Sequence, residues 1–305
     1  MKCIAIWYSN KSKQTSSSIE AHFNLWKLKK SRKVRCFLDI GILVQNVDAV
    51  SHINIYIPEL VHKHDIEDLG IVFRENTDLV SSLFNEDYRV SLRANQKFLE
   101  VIDDAGKAVF YIHIIDKEND ITVENGYSGS TIRIKMPEEI SETSHYYRIR
   151  LINPYVDSIS SIYTPTNSIL ESAFYQTEMV DFRVNEKRNL SNSLLEKINQ
   201  DGGVTFTKTH LFVMREANED YIYSHRPPNN SRQLESDLWK EYIGNKYSFD
   251  NIVAYNWKET AKHNSFNAFV KFRSIRCNPV TIGTFIFVLI VLGILSGIIA
   301  NLICK

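Results

Sequence analysis

The sequence predicts a mainly β (α+β) protein: a β-sandwich-like cytoplasmic body followed by a single C-terminal transmembrane helix. Three observations predict it. Short alternating runs rich in β-branched and aromatic residues fill the first half of the chain. Two helical patterns mix with further strands in the second half. The run over residues 280–303, 24 residues long, carries no charge.

Taken in order, strands are predicted over residues 3–9, 19–28, 34–45, 50–57, 88–93, 97–102, 107–115, 130–136 and 146–152. Asp104-Ala105-Gly106 and Glu124-Asn125-Gly126 supply turn residues tolerant of unusual backbone angles. Pro58 and Pro137 close strands, because proline cannot donate to a ladder. Past about residue 153 the texture changes. A long strand is expected over 172–184. A helix follows over 190–200, capped by Ser191 or Asn192 and stopped by Gly202-Gly203. Residues 204–215 alternate cleanly, 232–243 read as an amphipathic helix behind Pro227-Pro228, and 252–257 and 266–273 are the last strands. Three segments result: a β-rich cytoplasmic domain over 1–152, an α+β cytoplasmic domain over 153–275 and a membrane anchor over 276–305. One continuous fold is the alternative to the first boundary.

The 305 residues hold 36 basic and 36 acidic side chains, an ordinary globular balance that excludes a disordered or fibrous chain. Their distribution is uneven. Residues 1–40 carry nine basic and two acidic groups, 41–257 carry 21 and 33, and 258–276 carry five and one. At ~1.5 Å per residue the apolar run reaches roughly 36 Å, enough to cross a ~30 Å hydrocarbon core. Lys258, Lys262, Lys271, Arg273 and Arg276 precede it, so the positive-inside rule places the body in the cytoplasm; the membrane is expected to be the cell inner membrane. The N-terminus lacks a signal-peptide pattern, and the expectation is a tail-anchored protein. Cys3, Cys36, Cys277 and Cys304 have no metal-ligand spacing and read as free thiols. Gly293, Gly297 and Ala300 form a small-residue stripe suited to helix–helix contact. Thr284, Ser296 and Asn301 are the polar candidates to line a pore, which one helix can form only as an oligomer.

No phosphate-binding glycine loop, zinc motif or nucleophile elbow appears, so no catalytic residue, metal or cofactor is expected. His62 and His64, among Glu59, Asp65, Glu67 and Asp68, are the nearest to an acid–base cluster; a solvated loop explains them as well. Asp181, Arg183, Glu186, Lys187 and Arg188 read as an ion-pair ladder between strands. The strongest polar feature is KLKKSRKVR, with Lys27, Lys29, Lys30, Arg32, Lys33 and Arg35 in a predicted hairpin near Trp7, Trp26 and Phe37. Cations beside aromatic rings meet the needs of single-stranded nucleic-acid binding. A solvated hairpin tip and an anionic-lipid contact are the competing readings.

A β-rich body on one C-terminal span resembles the membrane effectors of Hailong-type bacterial antiphage defence systems. The resemblance covers the layout of the chain and carries over no individual residue. It implies an oligomeric channel, a tetramer, held inactive by single-stranded DNA oligomers that a partner nucleotidyltransferase makes. The expected function is therefore a ligand-gated membrane effector without catalysis. A tail-anchored adaptor without a pore and a membrane-tethered hydrolase using His62 and His64 are the alternatives.

Overall fold

The computed structural model describes residues 2–11, 17–30, 33–92, 97–137, 144–163, 175–244, 247–249, 251–275 and 279–303. The body is built on one large sheet. Its strands run in the order β16 (Asn230–Gln233), β17 (Ile252–Glu259), β14 (Phe206–Glu216), β2 (Ile19–Lys30), β3 (Lys33–Val44), β11 (Ser144–Leu151), β8 (Ala108–His113), β7 (Phe98–Ile102) and β6 (Arg89–Ser91), with β5 (Ile66–Asp68) also paired to β11. Two four-stranded sheets accompany it. One is β1 (Ala5–Asn10), β4 (Val50–Ile57), β10 (Gly129–Lys135) and β9 (Ile121–Gly126). The other is β12 (Ser160–Tyr163), β13 (Tyr175–Val184), β18 (Phe266–Ile275) and β15 (Glu219–Ser224).

Period-two alternation assigns the layers. In β2 the odd residues Phe23 and Leu25 enter a core shared with Ile55 and Ile132 of one small sheet and Phe182 and Val270 of the other. The even residues Trp26 and Leu28 enter a second core with the helices α1 (Gly70–Glu75), α2 (Asp78–Phe84) and α5 (Ser236–Ile243). The large sheet thus has helices on one face and two sheets on the other. The short helix α3 (Pro154–Ser158) is capped by Asn153, whose side chain accepts from the Tyr155 amide. Helix α4 (Asn192–Asp201) seats Leu194 and Ile198 against Trp7 and Tyr56 on the outer side of the β1–β4 pair. Ser191 caps it and Gly202, at φ 126°, ends it, as the sequence predicts.

Strand β14 pairs in parallel with β2 from Phe206↔Ile19 to Met214↔Trp26. Residues on both sides of the predicted boundary at 152 therefore share a sheet and a core. Three local expectations change. Glu124-Asn125-Gly126 is the end of β9, and the turn falls on Tyr127 and Ser128, at φ 56° and 64°. Both central residues at positive φ suit the twist of a tight hairpin. Residues 230–233 extend the sheet as β16 before α5 begins, because their amides pair with β17. Residues 66–84, to which the sequence assigns no element, supply β5, α1 and α2.

A buried polar cluster pins α5 to the sheet. Arg150 of β11 makes a two-pronged contact with Asp39 of β3, at 2.7 and 3.1 Å. Asp39 also accepts from Trp26 Nε1 at 2.8 Å and from the Tyr242 hydroxyl at 2.7 Å. Arg148 donates to the hydroxyls of Tyr242 and Tyr146, at 2.7 and 2.8 Å. Its nearest approach to Asp39 is 4.0 Å. Gly41 sits in the same row, where a Cβ would collide with Tyr146 and Arg148. Asp39 and Arg148 are fully buried and Arg150 nearly so. Removing one partner of such a cluster strands the others in low dielectric. We predict that Asp39→Ala lowers stability by about 3–5 kcal/mol, read as the shift in urea midpoint of the full chain. A loss below ~1 kcal/mol would contradict it.

Candidate ligand cavity

The even residues of β14, Lys208, His210, Phe212 and Met214, face the helical layer. Register places them in rows across neighbouring strands. One row is His22, His210 and Lys258; the next is Asn24, Phe212, Asn256 and Asn230; a third joins Met214, Ala254 and Arg232. The end of α2 and its following turn, with Phe84 and Glu86, roof these rows together with Trp239 of α5. The cavity, open to solvent on one side, measures about 220 Å³. Arg232 is held to the roof by donating to the Ser82 carbonyl at 3.1 Å.

The walls are chemically distinctive. Three buried polar atoms on cavity-lining residues, His210 Nδ1, Asn256 Oδ1 and Trp239 Nε1, have no hydrogen-bond partner within the protein. Asn256 nonetheless acts on the His210 ring as a hydrogen-bond partner that opposes the lowering of its pKa, so these two atoms partly answer each other and Trp239 Nε1 is the clearest orphan. Trp239 is 2% exposed, and an unpaired donor at that depth is costly unless a partner arrives. Burial, then Lys208 and Lys258, push His210 down to about 4. Burial, His210 and Arg148 hold His22 well below the usual histidine range. Both rings are neutral at pH 7, so each offers one donor and one acceptor. Asn24, on the cavity floor, accepts from Arg148 Nη2 at 3.1 Å once its amide oxygen is turned toward the guanidinium. The buried cluster below therefore holds two guanidiniums and one carboxylate, an excess of positive charge beneath the floor. Lys208, Lys258 and Arg232 outnumber Glu86 around the walls, and Glu20 meets Lys208 only at 3.9 Å.

The predicted basic hairpin is organised differently. Lys27 pairs with Glu178 and, at 3.3 Å, with Glu219; Lys29 pairs with Glu216 at 2.6 Å. Arg215, 1% exposed, joins the first group by donating to Glu178 at 3.1 Å. Burial alone would raise the Glu178 carboxyl, but Arg215 and Lys27 outweigh it and hold it low. Lys27 and Lys29 thus belong to ion pairs between strands. Trp7, Trp26 and Phe37 are core residues, which corrects their reading as stacking platforms. Arg35 is exposed, Lys30 and Lys33 end their strands, and Arg32 lies outside the described residues.

Elsewhere, His62 and His64 stack on an exposed 3-10 turn, where Asp65 accepts from the His62 amide and from Asn153. Asp181 and Arg183 pair within one strand at 2.8 Å, not across two. The apolar run forms α6 (Pro279–Ile303), long and apolar enough to cross a membrane and exposed along its length. Gly293, Gly297, Ala300, Ser296 and Asn301 lie on this surface, and Thr284 donates back to the Val280 carbonyl at 2.9 Å. Cys277 and Cys304 fall outside the described residues. No protein-family profile matches the chain, and no curated protein does.

Histidines drawn out of water give the body a definite acid response. Burial lowers His22, His113, His145 and His210, so between pH 6.5 and about 4 the unfolded chain binds more protons than the folded one. Asp68, raised to about 6 by burial, opposes them with one proton below that pH. The sum favours the histidines, at about 1.4 kcal/mol per pH unit for each net proton. The urea midpoint at fixed ionic strength is expected to fall from pH 7 to pH 5. A midpoint that rises over that interval contradicts the assignment.

Proposed function

We propose that this protein is an oligomeric single-pass membrane effector gated by a small anionic ligand, a phosphate-bearing nucleotide unit, held in the cavity between the large sheet and helices α2 and α5. The observation that carries this reading is the coincidence, in one cavity, of orphaned buried polar atoms, rim cations and excess positive charge beneath the floor. Asn24, Asn256 and the neutral histidines have the donor and acceptor pattern that reads a base edge. Phe84, Phe212 and Trp239 supply aromatic surface. The volume suits one nucleotide unit, whether free or at the end of a single-stranded oligonucleotide. The body is proposed to face the cytoplasm, on the basic residues that precede α6.

The route to the membrane is short. Strand β14 lines the cavity with its even residues and carries Arg215 on its other face. Arg215 and Lys27 grip Glu178 of β13. Strand β13 pairs with β18 over ten residues, and β18 leads to α6. Ligand binding would favour one of two packings of the span bundle, by as much as its affinity for them differs. Gly293, Gly297 and Ala300 would form the helix contact; Thr284, Ser296 and Asn301 lie on different sides of the helix at ~100° per residue, so not all of them can turn to one lumen.

The full chain in detergent, titrated by calorimetry with dTMP, a thymidine tetranucleotide and inorganic phosphate, tests the ligand. Binding of a nucleotide-bearing probe should weaken roughly 10- to 100-fold in Lys208→Gln/Lys258→Gln, as expected for losing charge-assisted hydrogen bonds. It should persist in Lys29→Gln. Unchanged binding in the cavity variant overturns the assignment. Comparison of dTMP with the tetranucleotide distinguishes a free nucleotide from an oligonucleotide end. In cells, depolarisation lost on Gly293→Leu/Gly297→Leu is the result expected of an effector; no depolarisation by the wild-type chain supports the adaptor reading.

A further inference from the structure

Strand β18 ends at Ile275 and α6 begins at Pro279. Four residue steps reach at most about 14 Å and three helical residues more lead to Ile282, where the apolar span begins, so the end of this sheet lies within ~19 Å of the hydrocarbon core if α6 spans it. The outward side chains there are unlike those of an ordinary solvated sheet face. Tyr163 of β12, Tyr175 of β13, Tyr223 of β15 and Ile275 of β18 are 53%, 40%, 53% and 68% exposed. Register gathers them on one face: Tyr175 is opposite Ile275, Tyr163 and Arg273 are both paired with Thr177, and Tyr223 is opposite Lys271. The Arg273 guanidinium lies 5.3 Å from the Tyr175 ring centre, and the Lys271 ammonium 6.0 Å from that of Tyr223. Asp220, opposite Arg273, is the acid in these rows, while Asp181 is engaged with Arg183 further along the sheet.

We propose that this outer face of the β12–β13–β18–β15 sheet docks on the headgroup layer of the bilayer that α6 crosses. Tyrosine presents an apolar ring and a polar tip, which suits it to a boundary that is apolar on one side and wet on the other. Lys271 and Arg273 carry long apolar stems under charged heads and can lay the stems along the rings while meeting lipid phosphates. Continuity with the span favours lipid over a second protein surface, because the strand that carries the cations is the strand that enters the membrane. Docking would fix the tilt of the sheet relative to the bilayer, so that movement in β13 and β18 becomes movement of α6. The inference depends on α6 as a span and is independent of the cavity.

Brominated-lipid quenching tests it. Tyr163→Trp and Tyr223→Trp are made in the full chain and reconstituted in nanodiscs of phosphatidylcholine with phosphatidylglycerol, with or without brominated acyl chains. The native Trp7, Trp26, Trp239 and Trp257 are buried in the body and form an unquenched background. The added tryptophans should lose emission in the brominated discs, and Val109→Trp, on β8 at the far side of the large sheet, should not. Lys271→Gln/Arg273→Gln should reduce the quenching. If the tryptophans at 163 and 223 are no more quenched than the one at 109, the face is not on lipid and the proposal fails. Absent quenching together with a cross-link between copies at these positions would assign the face to a second copy instead, and also overturns it.

Discussion

Asp39 is one carboxylate set between two guanidiniums, bonded to Arg150 and 4.0 Å from Arg148, in a buried layer, and much of the body is arranged around that constraint. Burying an unpaired charge costs several kcal/mol, so the sheet supplies Trp26, the helix supplies Tyr242, and Tyr146 crosses over the side-chain-free Gly41 to reach Arg148. These contacts tie β2, β3 and β11 to α5 in one cluster. Helix α5 in turn brings Trp239 over the sheet and closes one side of the cavity. The cluster satisfies nearly every donor yet leaves its charge unbalanced. That imbalance lies beneath Asn24, on the floor of the cavity. The stability of the fold and the electrostatic character of the cavity therefore have a common origin.

The strands and the membrane helix were legible because each depends on local periodicity. Phe23, Leu25 and the alternating 204–215 run announce their faces by themselves, and an uncharged 24-residue run has few other readings. The cavity was not legible, for a physical reason. Its rows combine residues near 22, 210, 230 and 256, brought together by a parallel β2–β14 pairing that leaves no local signal. In each strand alone, Lys208 and His210, or Asn256 and Lys258, look like the solvated side of a half-buried strand. The roof that removes them from water comes from residues 78–86, whose short helix lacks an obvious cap. In the basic hairpin the charge run is plain in sequence, while the carboxylates that pair with Lys27 and Lys29, Glu178, Glu216 and Glu219, lie about 150 or more residues away and leave no local signal.

The two faces of β14 explain how a ligand event could matter at the membrane. Neighbouring residues on one strand point alternately into the cavity and into the Lys27–Glu178–Arg215 group, so a change in strand position is felt on both sides. The small sheet that receives it is the one that delivers the chain to α6. Dense packing converts small displacements into a choice between discrete arrangements, which is what a gate requires. The same sheet carries the exposed tyrosines and cations proposed to meet the bilayer, which would give such a movement something to push against.

An anion bearing an aromatic group is proposed to occupy the cavity above the Asp39–Arg148–Arg150 cluster. Crystals of the full chain grown with 5-bromo-2′-deoxyuridine monophosphate, measured at the bromine edge, test it most directly. The account predicts an anomalous peak within the walls formed by His22, Phe84, Phe212 and Trp239. A bromine peak at the β2–β3 hairpin with none in the cavity would contradict it.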